Sequence, residues 1–278
     1  MSVVIGMVRP LWFTELLKKL FPYRFVLAKL TRVPVIGRIL DNMLFKGDEI
    51  YYLPKADVIE INKKVERPED MVLPYQVAEY FVERASYIFA MNFCICRLSS
   101  NCKNYPINIG CLFLGEAAKQ IDPRFGRPLT KREALEHLRK AREAGLVHLI
   151  GRDKIDSVWL DAKPPSKLLT ICNCCPCCCL WKIIPHLSTK IAARIKKMPG
   201  VNVKIDYSKC VGCGICADGI CFVNAIHMIN GKPVITDDCR GCGRCVEVCP
   251  QGAIKIIIEN RNFLDETIKR ISSVVDVT

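Results

Sequence analysis

The chain has 278 residues, room for one sizeable domain or two smaller ones, and half of them are apolar, which excludes a disordered tail. Its formal net charge of +13 points to an anionic partner, whether an acidic protein, a membrane surface or nucleic acid. The alternative is solvated basic faces in a lysine- and isoleucine-rich protein of thermophilic type.

The charge is unevenly spread. Residues 1–40 carry seven bases against the single acid Glu15, and residues 182–197 carry five bases and no acid. Residues 200–260 balance six bases with six acids. Cysteine is the other anomaly: 18 residues fall in three clumps separated by long cysteine-free stretches. Secreted disulfide scaffolds are small and cysteine-dense throughout, so these thiols read as metal ligands in a reducing cytoplasm. Residues 1–8 are apolar, but Arg9 and Pro10 interrupt them and no small-residue cleavage site follows, so no signal peptide is expected.

In chain order, residues 11–45 read as short amphipathic helices broken at Pro22 and Pro34. Trp12, Phe13, Leu16, Leu17 and Leu20 form an apolar stripe opposite Lys18 and Lys19. Such a segment packs on its own protein or lies on a membrane interface, so peripheral membrane contact through residues 11–40 is one expectation, at the inner face. No apolar run is long enough to span a bilayer. Residues 46–73 look irregular with short strands. From Pro74, the spacing of Val77, Ala78, Phe81, Val82, Ala85, Ile88 and Phe89 predicts a helix. It leads to Cys94, Cys96, Cys102 and Cys111.

Thr130 and Glu133 form a capping box for a second helix with Ala134, Leu135, Leu138 and Ala141 on its buried side and Gly145 as its stop. Leu146–Ile150 and Ser157–Leu160 read as two strands about the Gly151-Arg152-Asp153-Lys154 turn. Helix plus hairpin resembles the end of a winged helix, but no full helix-turn-helix is legible upstream, and nucleic acid is not the expected partner. Lys163-Pro164-Pro165 reads as a linker into Cys172, Cys174, Cys175, Cys177, Cys178 and Cys179, written C-N-C-C-P-C-C-C. Residues 183–198 suggest another basic helix.

Near the C-terminus the sequence repeats itself. Cys210, Cys213 and Cys216 recur as Cys239, Cys242 and Cys245, and Cys221 recurs as Cys249. Gly212 and Gly214 match Gly241 and Gly243, letting each loop curl until its amides face cluster sulfurs. Ile226–Ile229 and Val234–Ile235 flank an Asn230-Gly231 turn, a hairpin signal. Several thiolates converging from one short loop suit iron in a sulfide cluster. Zinc or disulfides are the alternatives.

Residues 203–258 resemble a bacterial-type 2[4Fe-4S] ferredoxin domain, in which the fourth cysteine of each run crosses to the other cluster. The resemblance implies one cluster on Cys210, Cys213, Cys216 and Cys249, and a second on Cys239, Cys242, Cys245 and Cys221. The first run departs from the pattern. Cys221 lies one residue further from Cys216 than is usual, and Phe222 replaces the expected proline.

The other ten cysteines need a separate account. Cys94, Cys96, Cys102 and Cys111 suffice for a further cluster or a zinc, with Arg97 to offset thiolate charge. The alternative is buried reduced cysteine packed as a small hydrophobe. Cys172–Cys179 cannot all face one cubane, because adjacent side chains of an extended chain point opposite ways. They suit two sites, or one larger site shared with the first clump. Their pairing is analogous to the non-cubane cluster domains of heterodisulfide reductases, though the motifs differ. Much of 90–180 resembles the region ahead of dicluster ferredoxin domains in some anaerobes.

The expected fold class is therefore α+β: a ferredoxin-like 2[4Fe-4S] domain appended to a mainly helical, cysteine-rich domain with a small winged-helix-like element. The expected organisation is a basic segment (1–73), a cysteine-rich domain (74–200), the ferredoxin domain (201–260) and a tail helix (261–278). The leading function is transfer of single electrons between a donor and a partner oxidoreductase in anaerobic metabolism, with an acidic redox protein as partner. The competing readings are an enzyme with a substrate-reducing, disulfide-type cluster at Cys172–Cys179, and a redox-sensing regulator. The four histidines are scattered, and no nucleophile motif, phosphate loop or dinucleotide fingerprint is present.

Overall fold

A computed structural model describes residues 10–55, 59–61, 73–260 and 262–278. The N-terminal stretch forms three short helices, α1 (Leu11–Leu20), α2 (Arg24–Leu30) and α3 (Pro34–Leu40), divided at the two prolines as their sequence predicts. Helix α2 and the residue after α3 dock on residues 180–194: the Ser188 amide donates to Thr31 Oγ1 at 2.8 Å, and Arg194 and Lys190 both pair with the buried Asp41. Only part of the predicted stripe is covered. Phe13 and Leu17 pack inward, while Trp12, Leu16 and Leu20 are exposed.

Seven strands make the main sheet: β1 (Glu49–Tyr52), β3 (Ile88–Met91), β4 (Leu112–Leu114), β5 (Gly126–Pro128), β6 (Val147–Arg152), β7 (Leu169–Cys174) and β8 (Ile195–Lys197), in the order β5-β3-β4-β7-β6-β1-β8. All neighbours are antiparallel except β1 and β8. The cysteine-rich region thus contributes six strands, β3 to β8, to this sheet alongside its helices. Its helices are α4 (Gln76–Arg84), α5 (Ile95–Ser99), α6 (Lys131–Glu143), α7 (Lys154–Leu160) and α8 (Thr189–Ala192).

The differences from the sequence expectation have local causes. The helix after Pro74 buries Val77, Ala78, Phe81 and Val82 but ends at Arg84, and Ile88 and Phe89 enter β3 instead. Residues 157–160 are helical, because the Asp153 side chain caps α7 by accepting from the Ile155 amide at 3.0 Å. The second strand of a winged hairpin is therefore not formed. The basic stretch 183–198 breaks at Pro185 and finishes as β8 alongside β1. The capping box of α6 forms as expected, with the Glu133 amide 3.2 Å from Thr130 Oγ1 and the Thr130 amide 2.9 Å from Glu133 Oε2.

The C-terminal module pairs β12 (Ile254–Ile258) with β9 (Val201–Ile205) and with the short β2 (Ile59–Ile61). A separate hairpin joins β10 (Ile226–Ile229) to β11 (Lys232–Ile235) through left-handed Asn230 and Gly231. Helix α9 (Arg244–Glu247) follows the second cysteine loop, and α10 (Phe263–Ser272) closes the chain. One apolar core runs from Val77, Leu138 and Ile171 through Ile254 and Ile256 to Phe263 and Ile271. The module and the main sheet share that core.

Candidate metal centres

Strand β7 places its cysteines by alternation. Leu169 and Ile171 enter the core shared with the module, while Cys172 and Cys174 face the other side, where Val147 and Leu149 of β6 and Tyr52 of β1 also lie. The β4–β7 register pairs Leu112 with Ile171, which sets Cys111 beside Cys172 at 3.7 Å between sulfurs. After Cys174 the chain reverses through Pro176, and the Cys179 amide reaches back to the Cys175 carbonyl. Cys179 thereby returns to 3.1 Å from Cys174. Cys94 precedes α5 as its N-cap and shares a thiol hydrogen bond with Cys96. These pairs neighbour one another: the charges of Cys174 and Cys179 bear on Cys96, and that of Cys94 on Cys111.

Cys102 leaves this group. Helix α5 stops at Ser99, Asn101 is left-handed (φ 48°), and the Cys102 amide bonds to the Arg97 carbonyl at 2.9 Å. The turn carries Cys102 to Cys177, 3.7 Å away, where Cys175 and Cys178 also lie. The ten upstream cysteines therefore divide by position: Cys102, Cys175, Cys177 and Cys178 in one cluster, and Cys94, Cys96, Cys111, Cys172, Cys174 and Cys179 in the other.

In the C-terminal module each run of three cysteines meets the fourth cysteine of the other run. Cys210, Cys213, Cys216 and Cys249 line one small cavity together with Pro233 and Pro250. Cys239, Cys242 and Cys245 all sense Cys221. Backbone amides already point at sulfur: Ala225 to Cys221 and Ala253 to Cys249 at 3.3 Å, and Gly241 to Cys239 at 3.4 Å. Gly212 and Gly241 take left-handed φ of 72° and 66° to make these curls, and a Cβ on Gly212 would stand 2.3 Å from the Gly231 carbonyl oxygen. Four thiols with amide donors around them fit the charge and bonding of a [4Fe-4S] cluster.

The 4Fe-4S binding domain family matches residues 232–255. An uncharacterized ferredoxin of Methanocaldococcus jannaschii is 41% identical over 58 residues, covering 92% of that protein and 19% of this chain. A ferredoxin of Methanothermococcus thermolithotrophicus is 39% identical over 59 residues, 97% of that protein and 20% of this chain. Through this domain the chain belongs to the ferredoxins. No solved structure matches the chain.

The ferredoxin domain sits directly against the upstream cysteines. Cys221, Cys239 and Cys242 pack on the same apolar cluster as Cys174, Cys179, Tyr52 and Phe222. The Tyr52 and Phe222 rings meet edge to face at 5.6 Å, so the phenylalanine that replaces the usual proline fills the junction. Tyr52 is fully buried, and its hydroxyl has no hydrogen-bond partner among the described residues. Burial, then the charges of Cys179, Cys174 and Cys242, hold its pKa well above the usual value. A second junction lies at Arg244, which donates to Tyr105 Oη at 2.9 Å and to the Gly145 carbonyl at 3.2 Å. Gly219 and Ile220, from the lengthened loop before Cys221, line an open cleft there with Tyr105, Cys177 and Arg244.

Thiol acidity among the upstream cysteines is split by contact. The bond from Cys96 brings Cys94 down to about 6, while Cys96 is driven up by that same bond and by burial. In the ferredoxin domain, burial raises Cys242 to about 12. Arg97 supplies the compensating charge between the two upstream clusters. It is wholly buried, and among the thiols it faces Cys94 and Cys175 most strongly. Its role as a charge offset is legible from its place beside Cys96. Tyr52, Arg244 and Asn101 are functional neighbours that sequence reasoning missed, and only Asn101 left a signal, as a residue type suited to ending a helix in the left-handed region.

Proposed function

We propose that this chain is an electron-transfer protein in which the ferredoxin domain exchanges electrons with a partner oxidoreductase and serves a further iron–sulfur cluster held by Cys94, Cys96, Cys111, Cys172, Cys174 and Cys179. When bound, such clusters supply one-electron redox chemistry. The chain supplies the two ends of the route. Val211 (68% exposed), Cys213 and Ile215 form an open rim where a partner can approach the first cysteine set. At the other end the thiols are enclosed, and Arg97 offsets their charge. The observation that carries the reading is Tyr52, whose buried hydroxyl has no partner among the described residues and feels the charges of Cys179, Cys174 and Cys242, so that a cluster sulfur there would accept its hydrogen bond. The resemblance of 90–180 to regions in anaerobe proteins supports an anaerobic setting.

The test is anaerobic iron and sulfide quantitation with EPR of the reduced protein. We expect iron and acid-labile sulfide each above about eight per chain, the content of two cubanes. Cys172→Ser/Cys174→Ser should return acid-labile sulfide to about eight, the content of two cubanes, and keep the ferredoxin signals. Eight or fewer of each in the wild-type chain would sink the further cluster.

We also propose that α1–α3 dock on an anionic bilayer, placing the protein in the cytoplasm at the inner membrane face. Trp12 (64% exposed), Val26 (61%) and Val35 (71%) stand out with Ile39 and Met43, and Lys19, Lys29 and Arg38 are interleaved with them. Apolar anchors beside cations suit an anionic lipid surface. Among the described residues no helix is long and apolar enough to cross a membrane. Co-sedimentation with phosphatidylglycerol vesicles, lost in a Trp12→Ala/Val35→Glu variant and absent with phosphatidylcholine, is the expected result. No binding to anionic vesicles at low salt would refute it.

A further inference from the structure

The four sulfurs of Cys102, Cys175, Cys177 and Cys178 all lie within 4.8 Å of one another. Three of their separations are 3.7 Å (Cys102 to Cys177), 3.6 Å (Cys175 to Cys177) and 3.4 Å (Cys177 to Cys178). A tetrahedron of thiolates bonded at about 2.3 Å to one central ion has edges of about 3.8 Å. In a cubane each thiolate binds its own iron, so the sulfurs stand apart by more than that edge. The two ferredoxin quartets behave in that wider way: neither closes within the limit met by Cys102, Cys175, Cys177 and Cys178, a comparison made among the described residues.

We propose that Cys102, Cys175, Cys177 and Cys178 hold a single divalent metal ion, zinc or iron, in a tetrahedral all-thiolate site separate from the iron–sulfur clusters. Soft thiolate donors in tetrahedral array select these ions. Three of the four cysteines are buried under Ala141, Leu146 and Tyr105, near the end of α6. Cys177 alone is exposed, at the cleft it shares with Arg244 and with Gly219 and Ile220 of the ferredoxin loop. An ion bonded there ties the chain near 102 to the 175–178 turn, and so fixes one wall of that cleft. Binding releases the thiol protons and needs no oxidant.

The full-length protein, purified anaerobically, is assayed for zinc, iron and acid-labile sulfide. The expected result is one zinc per chain, or one iron in excess of sulfide, lost in Cys175→Ser/Cys178→Ser with sulfide content and reduced-cluster EPR unchanged. Absence of zinc together with iron equal to sulfide overturns the site, as does loss of iron and sulfide in equal amounts from the variant. If the variant does not fold, X-ray absorption of the wild-type protein decides for zinc: four sulfurs at about 2.3 Å and no neighbouring metal support the site, whereas a metal neighbour or nitrogen and oxygen ligands refute it. Mössbauer spectra decide likewise for iron, where a sulfide-free tetrahedral site is expected beside the cluster signals and cluster signals alone refute it.

Discussion

Arg97 donates through Nη1 to the main-chain carbonyl of Asn173 at 2.7 Å, and through Nη2 to the carbonyl of Ile109. One buried guanidinium thus joins the helix after Cys94, the loop before Cys111 and the strand bearing Cys172 and Cys174. It holds together three pieces of chain that meet only in the folded state.

Arg97→Met should therefore lower stability by about 2–4 kcal/mol, because two buried carbonyls lose their donors and the thiols lose their countercharge. The upstream cysteines should load less metal while the ferredoxin EPR signals persist. Thermal unfolding under anaerobic conditions reads the first effect and metal analysis the second. An unchanged midpoint would refute the role.

Asn173, the middle residue of C-N-C, points away from its cysteine neighbours. Its Nδ2 donates to the Gly110 carbonyl at 2.7 Å, and its Oδ1 accepts from His148 Nδ1 at 2.8 Å. Asn173→Leu keeps the branched shape but orphans His148 Nδ1, at a cost of about 1–3 kcal/mol, and leaves the Gly110 carbonyl to His137 Nε2 alone at 2.9 Å. Loss of upstream metal with a normal ferredoxin domain is the expected phenotype, since Gly110 anchors Cys111. Full metal content and a wild-type midpoint would count against it.

Tyr52→Phe removes the buried hydroxyl that has no partner among the described residues. If a cluster sulfur accepts that hydrogen bond, one cluster should become harder to reduce by about 40 mV, the equivalent of about 1 kcal/mol for one electron. An EPR-monitored redox titration reads it. Unchanged potentials with raised stability would show that no sulfur sits there.

His148 is buried, and burial first, then the Arg142 charge, holds its pKa down to about 4 from 6.5. Between those values the unfolded chain binds a proton that the native chain refuses. Stability is thus fully present above pH 6.5 and falls as pH drops toward 4, by about 3 kcal/mol in total. Comparing apparent midpoints at neutral and mildly acidic pH for wild type and His148→Gln should show a shallower slope in the variant. Parallel slopes would assign the acid sensitivity elsewhere.

Local signals were readable wherever neighbours in sequence settle the structure. The Thr130–Glu133 capping box, the Asn230-Gly231 hairpin and the breaks at Pro22 and Pro34 each act within a few residues, and each formed as expected. Residues 157–160 misled because their apolar character suits strand and helix equally, and the Asp153 cap decided between them. Ile88 and Phe89 continued a helical spacing, yet pairing with β4 and β5 took them into the sheet. A three-residue edge strand such as β8 has no signature apart from its partner β1.

The same division holds for the cysteines. Eight of them belong to short loops repeated within the sequence, so their spacing alone marked the ferredoxin domain, and the fold adds that its lengthened loop and Phe222 face the rest of the protein. For the other ten, spacing suggested sharing of sites but not which thiol goes where. That partition depends on the β4–β7 register, which brings Cys111 to Cys172, and on the left-handed turn at Asn101, which sends Cys102 to Cys177. Strand pairing over some sixty residues is paid for by the whole core, and only the tertiary structure decides it.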